Sequence, residues 1–319
     1  HKNWVRILGT PYVNMLNKAV EYNKQNELIQ VSEALHEKKY AEIADNIYRR
    51  KDEVKLVLLA GPSSSGKTTS CRRIATQLSV LGFKPLQISL DDYFVDREHT
   101  PKDASGNYDF ECIEALDLDF FNYQMKELLS GAEIELPRFD FISGKRVQSG
   151  NRLKMKANSI LIVEGIHALN PHLTDKIEAK NKYNVFVSAM TQLALDRHNL
   201  ISSSDNRLLR RIVRDNNYRG YSAQDTILRW DSVRSGEEKH IFPYQENADS
   251  IFNSSLLYEI GVLKPTAEKL LFEVAQNSPA YSEARRLQNF LSEFKSIKTD
   301  FIPPTSIMRE FLGGSSFAY

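Results

Sequence analysis

The hydrophobic positions of this chain change their spacing near residue 54. Before it, apolar residues three and four positions apart predict two helices, the first over residues 12–20. The second is predicted to start at Ser32 and to end in Arg49-Arg50-Lys51, whose positive charges suit the C-terminal end of a helix. We therefore predict a helical N-terminal segment over residues 1–53. Because the chain begins at His1 and not at Met, we expect this segment to be the end of a longer upstream region.

After residue 54, short apolar runs predict buried parallel strands. The runs are Val54–Ala60, Leu86–Ser89, Ile160–Val163 and Val185–Val187. Apolar residues at helical spacing from Cys71 to Leu78, followed by Gly82, place a helix between the first two runs. Strand, helix and strand in this order predict an α/β fold with a parallel sheet flanked by helices.

Residues 93–158 are too long for a simple connection and have a pattern of their own. A helix is predicted over residues 118–129, and two strands follow around the turn Ser143-Gly144-Lys145. The strands are predicted over Glu133–Phe141 and Arg146–Met155. We interpret this stretch as a subdomain inserted into a sheet domain of residues 54–262. Residues 263–319 are expected to form a helical C-terminal extension.

The composition limits the partners of the chain. Lys+Arg 42 and Asp+Glu 41 leave a net charge of +1, without the strong basic surplus of general polyanion binders, so nucleic acid is an unexpected partner. The two cysteines, Cys71 and Cys112, are too few for a disulfide scaffold. No apolar run approaches the ~20 residues of a membrane helix. We therefore expect a cytoplasmic protein without a membrane partner, and a homo-oligomer stays open.

The segment Gly61-Pro62-Ser63-Ser64-Ser65-Gly66-Lys67-Thr68 fits the pattern G-x-x-x-x-G-K-[ST] between a predicted strand and helix. Its glycines allow the backbone to wrap around a phosphate, and the helix N-terminus adds positive potential. Lys67 would reach the β- and γ-phosphates, and the hydroxyl of Thr68 would ligate Mg²⁺. We predict that ATP or another NTP binds with Mg²⁺ to Gly61, Ser63, Ser64, Ser65, Gly66, Lys67, Thr68 and Thr69.

Carboxylates follow two of the predicted strands. Glu164 ends one strand in a Walker B pattern with Glu in place of Asp, and it would hold Mg²⁺ unless it is an ordinary surface residue. Asp91 and Asp92 follow another strand, at the sheet edge where α/β folds bind ligands. One of them can accept a proton from a hydroxyl beside the γ-phosphate, and the other can be a turn or capping residue.

Four arginines are predicted to share one side of a helix over Asp205–Asp215: Arg207, Arg210, Arg211 and Arg214. Like charges at this spacing cost a bare helix roughly a few tenths of a kcal/mol per pair, so a polyanionic ligand is a natural reason for them. The forked guanidinium group suits phosphate. The alternative is a solvated helix face with internal ion pairs. We predict a lid that contacts the phosphates of the nucleotide.

Six segments, in this order, resemble the uridine kinase/phosphoribulokinase family over about residues 54–262. They are Gly61–Thr69, Asp91–Phe94, Asn107–Phe110, Pro137–Phe141, Val163–Ile166, and Asp205–Asp215 followed by Arg219-Gly220. The chain looks most similar to longer bacterial forms with N-terminal domains related to threonyl-tRNA synthetase. The resemblance implies a P-loop NTPase fold, with an inserted acceptor-binding subdomain, that uses ATP and Mg²⁺.

The resemblance also implies roles for single residues. It implies that Asp91 is the catalytic base and lies near Mg²⁺. It also implies that Asp109 binds the ribose hydroxyls and that Phe139 lines the nucleoside pocket. The catalytic set is Asp91, Lys67, Arg207 and Arg211. Arg210 and Arg214 join the nucleotide-binding residues. The acceptor set is Asp91, Tyr93, Asp109, Phe139 and Arg207, and the metal ligands are Thr68, Asp91 and Glu164.

One position departs from the pattern of the family. Where pyrimidine nucleoside kinases have a histidine that reads the base, this chain has Gly144. Glycine offers only backbone groups and leaves the space of a missing side chain. We expect Asp109 to keep ribose recognition, and base recognition to be relaxed or shifted towards purines that fill this space.

The preferred interpretation is ATP-dependent transfer of the γ-phosphoryl group to the 5′-hydroxyl of a nucleoside. The alternatives are a kinase for a sugar, polyol or pantothenate-like metabolite, a regulatory NTPase, and a core that mainly binds tRNA or another protein. A GTPase switch would need N-K-x-D after a strand, but Asn181-Lys182-Tyr183-Asn184 lacks the Asp and precedes its strand. The near-zero net charge argues against tRNA.

Overall fold

The computed structural model describes residues 9–102, 106 and 108–317. Asn107, which belongs to one of the family-like segments, lies outside these residues. In chain order the strands are β1 (Leu56–Ala60), β2 (Lys84–Ser89), β3 (Glu133–Asp140), β4 (Lys145–Lys154), β5 (Ser159–Glu164), β6 (Lys182–Ser188) and β7 (Ser250–Asn253). The helices are α1 (Val13–Glu21), α2 (Gln25–Tyr48), α3 (Lys67–Val80), α4 (Leu118–Leu129), α5 (Ser203–Arg219), α6 (Ala223–His240), α7 (Glu259–Phe272), α8 (Tyr281–Ser292) and α9 (Met308–Leu312).

A parallel five-stranded sheet in the order β2-β5-β1-β6-β7 forms the centre of the fold. Every residue of β1 and β5 is buried, because apolar layers cover both faces of the sheet. Each of the four predicted runs contains a strand, although Val54 and Lys55 of the first run precede β1, and the predicted parallel sheet flanked by helices is confirmed. No apolar run predicted β7, a four-residue edge strand. The order places β1, β2 and β5 side by side, so the residues that follow them meet at one sheet edge.

The second N-terminal helix differs from the prediction at both ends, and it ends at Tyr48, so that the predicted terminal residues Arg49-Arg50-Lys51 follow it. The first helix forms at the predicted place, as α1. The second begins at Gln25, well before the predicted Ser32, which is buried inside the helix and does not cap it. Because residues 25–27 are polar, the apolar spacing does not indicate that the helix begins there, although Leu28 and Ile29 already belong to its buried face.

The inserted stretch contains the predicted helix and strands. The helix α4 spans the predicted residues, and β3 pairs with β4 in an antiparallel hairpin whose register runs from Glu133 opposite Lys154 to Asp140 opposite Lys145. Aromatic and aliphatic side chains of this stretch share one apolar cluster with alternate residues of β1 and β5. The insertion therefore packs on one face of the sheet, beside the edge that carries the P-loop.

The terminal segments share their core with the sheet domain. The boundary expected between residues 262 and 263 falls inside α7. The buried carboxylate of Glu33 in α2 accepts hydrogen bonds from Tyr258 Oη at 2.6 Å and Ser306 Oγ at 2.5 Å, and its second oxygen lies 3.3 Å from Arg73 Nη1 in α3. One side chain thus joins the N-terminal helix, the P-loop helix and the C-terminal residues. Within the described part of the chain, no helix is both long and apolar enough to cross a membrane.

Candidate active site

The P-loop joins β1 to α3 and requires glycine at two positions. A Cβ on Gly61 would lie 2.1 Å from the carbonyl oxygen of Val187 in β6, so only glycine allows the loop to pass this close to the sheet. Gly66 has a φ of +84°, and a Cβ there would lie 3.1 Å from Cγ2 of Ile307. These positions turn the chain into α3, whose first N–H groups are suited to bind phosphate.

Lys67 lies among three carboxylates. Its Nζ donates to the carbonyl oxygen of Pro62 at 3.1 Å. Burial lowers the pKa of Lys67, while the negative charges of Glu164, Asp91 and Glu310 act in the opposite direction. The structure therefore brings together the predicted phosphate-binding lysine, catalytic base and metal ligand. It adds Glu310, for which the sequence analysis had no role.

The predicted metal ligands Thr68 and Glu164 are in contact. Thr68 Oγ1 donates to Glu164 Oε1 at 3.1 Å, and Ser89 Oγ donates to the same oxygen at 3.3 Å. Burial and, to a smaller extent, the negative charge of Asp91 raise the pKa of Glu164 to about 7, against the opposing positive charge of Lys67. Carboxylate and hydroxyl oxygens are the ligands that Mg²⁺ prefers, so these side chains fit the metal that a P-loop site uses.

Asp91 and Asp92 lie in a single 3₁₀ turn after β2 but face different surroundings. Asp92 Oδ1 accepts the N–H of Phe139 in β3 at 3.2 Å, and burial raises the pKa of Asp92. Asp91 is close enough to Lys67 and Glu164 to influence the pKa of both. Asp92 thus holds the inserted hairpin, while Asp91 faces the P-loop.

Tyr93 does not lie in the acceptor pocket that the resemblance implied. Its ring has no exposed surface and packs against Phe120 and Phe121, and its hydroxyl donates to Gln124 Oε1 at 2.7 Å. We therefore correct its role from acceptor binding to anchoring the insertion against the sheet.

Phe139 and Asp109 lie on the insertion, near its aromatic cluster. The buried ring of Phe139 packs edge-on against Phe94 at 5.6 Å and Phe141 at 5.2 Å between centroids. Asp109 is half-buried, and its Oδ1 accepts the N–H of Glu111 at 3.0 Å. Phe139 therefore belongs to the aromatic packing of the insertion, and the predicted roles of Phe139 and Asp109 in acceptor binding stay predictions.

Two of the four predicted lid arginines are enclosed beneath the P-loop. Arg207 donates from Nη1 and Nη2 to the carboxylate of Glu237 at 2.5 and 2.8 Å. Arg210 has no exposed surface; its Nε donates to Glu259 at 2.9 Å and its Nη1 to the carbonyl oxygen of Ser64 at 3.3 Å. Both guanidinium groups are committed to the protein. The structure therefore corrects their predicted ligand contacts: these arginines hold the loop.

The other two arginines, Arg211 and Arg214, lie closer to the open side of the P-loop. Arg211 Nη1 donates to Ser63 Oγ of the P-loop at 2.8 Å. Arg211, Arg214 and Arg219 all lie within 3.8 Å of one carboxylate, that of Asp215. The charge of Arg214, together with burial, lowers the pKa of Arg219 to about 10. Three positive charges around one negative charge leave a local surplus that suits phosphate.

The space beside Gly144 is filled. Gly144 has a φ of +70°, and a Cβ there would lie 2.7 Å from Nε and 2.8 Å from Cζ of Arg97. Arg97 Nη2 also donates to the carbonyl oxygen of Phe141 at 2.6 Å. The expected vacant volume is therefore wrong, because a guanidinium group stands where a side chain at position 144 would extend.

Four residues of this region were missed from the sequence: Arg97, Glu111, Glu237 and Glu310. Each gains its place through a partner that is distant along the chain, such as Thr69 for Glu310, 241 residues away. Glu111 alone had a local signal, because it directly follows the family-like segment that ends at Phe110.

A P-loop at the end of the central strand, with a carboxylate on the neighbouring strand and an arginine-rich helix beside it, defines a P-loop nucleotide-binding enzyme of the kinase type. The match to a family model is more specific. The chain belongs to the phosphoribulokinase / uridine kinase family, whose model matches residues 56–257.

Known proteins share this part of the chain. The uridine kinase of Staphylococcus aureus (strain JH9) is 30% identical over 198 residues, which cover 61% of this chain and 86% of that protein. Among solved structures, the D-glycerate 3-kinase of Cryptococcus neoformans var. grubii serotype A is similar with a TM-score of 0.43 at 12% identity. That similarity covers 64% of this chain and 87% of that structure.

Proposed function

We propose that this protein is an ATP-dependent kinase that transfers the γ-phosphoryl group to the 5′-hydroxyl of a nucleoside. The observation that carries the proposal is that Thr68, next to Lys67, contacts Glu164 at 3.1 Å, at the sheet edge where Asp91 follows the neighbouring strand β2. Such an arrangement would bring a base and a phosphate-binding cation together, as phosphoryl transfer to an alcohol requires.

Each residue of the site has a separate role in the proposed reaction. Asp91 accepts the proton of the acceptor hydroxyl as its oxygen attacks the γ-phosphorus, and the bond to the bridging oxygen of ADP breaks. Lys67 and Arg211 stabilise the negative charge on the transferring group and on the leaving diphosphate. Thr68, Glu164 and Asp91 would hold Mg²⁺, which supplies further charge neutralisation when it is bound.

Recognition of the acceptor rests on the insertion. Phe139 anchors an aromatic cluster whose exposed ring, Phe141, offers apolar surface suited to a base, and Asp109 offers a carboxylate for the ribose hydroxyls. Since Arg97 takes the place beside Gly144, we assign the reading of the acceptor's polar edge to this guanidinium. Guanidinium groups bind best to two adjacent acceptor atoms.

Arg97 also favours a second candidate function. A guanidinium at the acceptor end suits the carboxylate of a pantothenate-like metabolite or the polar groups of a sugar as well as it suits a base. A kinase for such a hydroxylated metabolite, built on the same frame, is therefore the alternative.

A panel of acceptors tests both candidates. ADP release with ATP and Mg²⁺ is measured with uridine, cytidine, adenosine, inosine and their 2′-deoxy forms, and with sugars, glycerate and pantothenate. The nucleoside proposal expects ribonucleosides to be phosphorylated and deoxynucleosides to be poor if Asp109 holds the ribose. Turnover only with a sugar or a carboxylated polyol would establish the alternative. ATP hydrolysis that no acceptor stimulates would contradict both.

Variants of the P-loop site test whether the measured turnover takes place at this site. Lys67→Ala should nearly abolish kcat with the fold intact. Asp91→Asn should lower kcat by ~10²-fold or more, the scale of losing a general base. Asp92→Asn is the matched control and should be milder, because its amide oxygen can still accept the N–H of Phe139. The reverse ranking of the two would move the base to Asp92.

A further inference from the structure

Residues 302–316, called here the C-terminal strap, lie against the start of the P-loop helix. Ile307, Met308 and Phe311 of the strap have no exposed surface. The carbonyl oxygen of Phe311 accepts a hydrogen bond from Asn217 Nδ2 at 2.9 Å, and Arg309 Nη2 donates to the carbonyl oxygen of Ile302 at 2.7 Å. These contacts fix the backbone of the strap, and the half-buried side chain of Glu310 extends from it to the start of α3.

Glu310 places a carboxylate on donors of the P-loop helix. Its Oε2 accepts the backbone N–H of Thr69 at 3.2 Å and the hydroxyl of Thr69 at 2.6 Å. Thr69 follows the P-loop motif directly and lies in the first turn of α3. The N–H groups of this turn are the donors that bind phosphate in such sites. The carboxylate thus occupies hydrogen bonds that an anionic ligand would use.

The charge of Glu310 also reaches the rest of the site. It is one of the negative charges that raise the pKa of Lys67 and of Glu164. A nucleotide would bring further negative charge into the same partly enclosed space, where like charges repel more strongly than in water. A bound phosphate and the present position of the Glu310 side chain therefore oppose each other.

We propose that Glu310 competes with the phosphate groups of the nucleotide for Thr69 and thereby sets the nucleotide affinity of the enzyme. The proposal rests on the proposed function only in that a nucleotide binds at the P-loop. The strap stays packed in both states, and the Glu310 side chain turns away when the nucleotide enters. The C-terminal residues thus belong to the nucleotide site.

Calorimetric titration with ATP and Mg²⁺, in the absence of any acceptor, tests this proposal. Glu310→Ala should bind ATP ~10-fold more tightly than the natural protein, since it loses both the competing hydrogen bonds and the charge. Glu310→Gln should lie between the two, because it loses the charge and keeps an oxygen that can accept from Thr69. The matched control is Glu273→Ala, an exposed glutamate of the same C-terminal part, which should bind like the natural protein.

Adenosine, titrated separately without ATP, is the second ligand control. It has no phosphate, so its affinity should be the same in every variant whether it binds in the nucleotide site or in the acceptor site. Unchanged or weaker ATP binding by folded Glu310→Ala and Glu310→Gln overturns the proposal, as does equal tightening for adenosine. If the alanine variant does not fold, the ATP affinity of Glu310→Gln alone tests the proposal. If ATP binds and Lys67→Ala weakens it, a failure at Glu310 leaves the proposed function standing. If neither the natural protein nor any variant binds ATP, both proposals fail.

Discussion

Glu111 is a buried carboxyl group, and burying its charge lowers the free energy of unfolding. Its Oε2 is buried and makes no hydrogen bond within the residues that the structure describes. Its side chain packs on α6 where Gly236 allows a close approach, since a Cβ on that glycine would lie 2.4 Å from Cβ of Glu111. Burial raises the pKa of Glu111 to about 7, and the charge of Arg211 moderates this rise. A buried carboxyl group with a raised pKa, beside the arginine that we propose to bind phosphate, is a candidate for function.

The first prediction concerns Glu111→Gln. Between the ordinary glutamate pKa of about 4.5 and the raised value of about 7, the folded state binds the proton more tightly than the unfolded state. The free energy of unfolding therefore falls as the pH rises through this window. Glu111→Gln removes that loss, so it should be more stable than the natural protein by about 1–3 kcal/mol at pH 8, and nearly equal to it at pH 4.5.

Chemical denaturation at several pH values measures this difference. Glu114→Gln, which changes an exposed glutamate of the same segment, is the control and should follow the natural protein at every pH. Parallel curves for Glu111→Gln and the natural protein would show that the carboxyl group is already ionised without cost.

At the scale of elements, α5 and α6 hold the P-loop from behind. Arg207 in α5 donates to the carbonyl oxygen of Ser63 at 3.2 Å as well as to Glu237 in α6. Glu237, which has no exposed surface, accepts the N–H of Ser63 at 2.8 Å. A helix pair and one residue of the loop are thereby joined through a single carboxylate. The conformation of the loop depends on this pair before any nucleotide arrives.

The second prediction follows from that pair. Glu237→Ala leaves a buried guanidinium without its partner and should cost about 3–5 kcal/mol of the free energy of unfolding. It should also weaken ATP binding, because Ser63 loses an anchor. Glu238→Ala is the matched control: its side chain is 67% exposed and lies 3.8 Å from Arg234, so its loss should change stability by less than about 1 kcal/mol. Equal effects of the two variants would show that the pair does not support the loop.

At the scale of the molecule, the two ends of the chain complete the kinase core. Helix α2 and the residues after 262 contribute to the same apolar cluster as one face of the sheet. The contacts of Glu33 with Tyr258, Ser306 and Arg73 add a polar junction inside that cluster. The family match ends at residue 257, but the packing continues beyond it.

The third prediction is that residues 54–262 do not form a stable protein alone. Such a fragment ends inside α7 and lacks both Glu33, which accepts hydrogen bonds from Tyr258 and Arg73, and the helix α2 that carries it, so it would expose apolar surface of the sheet domain. We expect poor solubility or a molten state, seen as a lost near-ultraviolet circular dichroism signal, while the whole chain unfolds in one transition. A folded fragment with a sharp transition would show that the ends are accessory.

The sequence by itself determined the P-loop, the parallel sheet and the inserted hairpin. These features depend on residues that are close along the chain: the spacing of Gly61, Gly66 and Lys67, the buried runs, and the turn around Gly144. Local spacing decides local backbone conformation, and a sheet buried on both faces leaves a readable apolar signature. The strand ends also put Asp91 and Glu164 at the same edge, and the family resemblance then chose Asp91 over Asp92 as the base.

Only the tertiary structure decided which side chains face the ligand. Helical spacing put four arginines on one helix, but packing enclosed Arg207 and Arg210, since Glu237 and Glu259 come from other helices. Tyr93 became core because the insertion folds over it. The contact of Glu310 with Thr69 spans 241 residues, and no local pattern encodes a contact between two such distant segments. Spacing along the chain limits which face a residue can take, and only packing determines what meets that face.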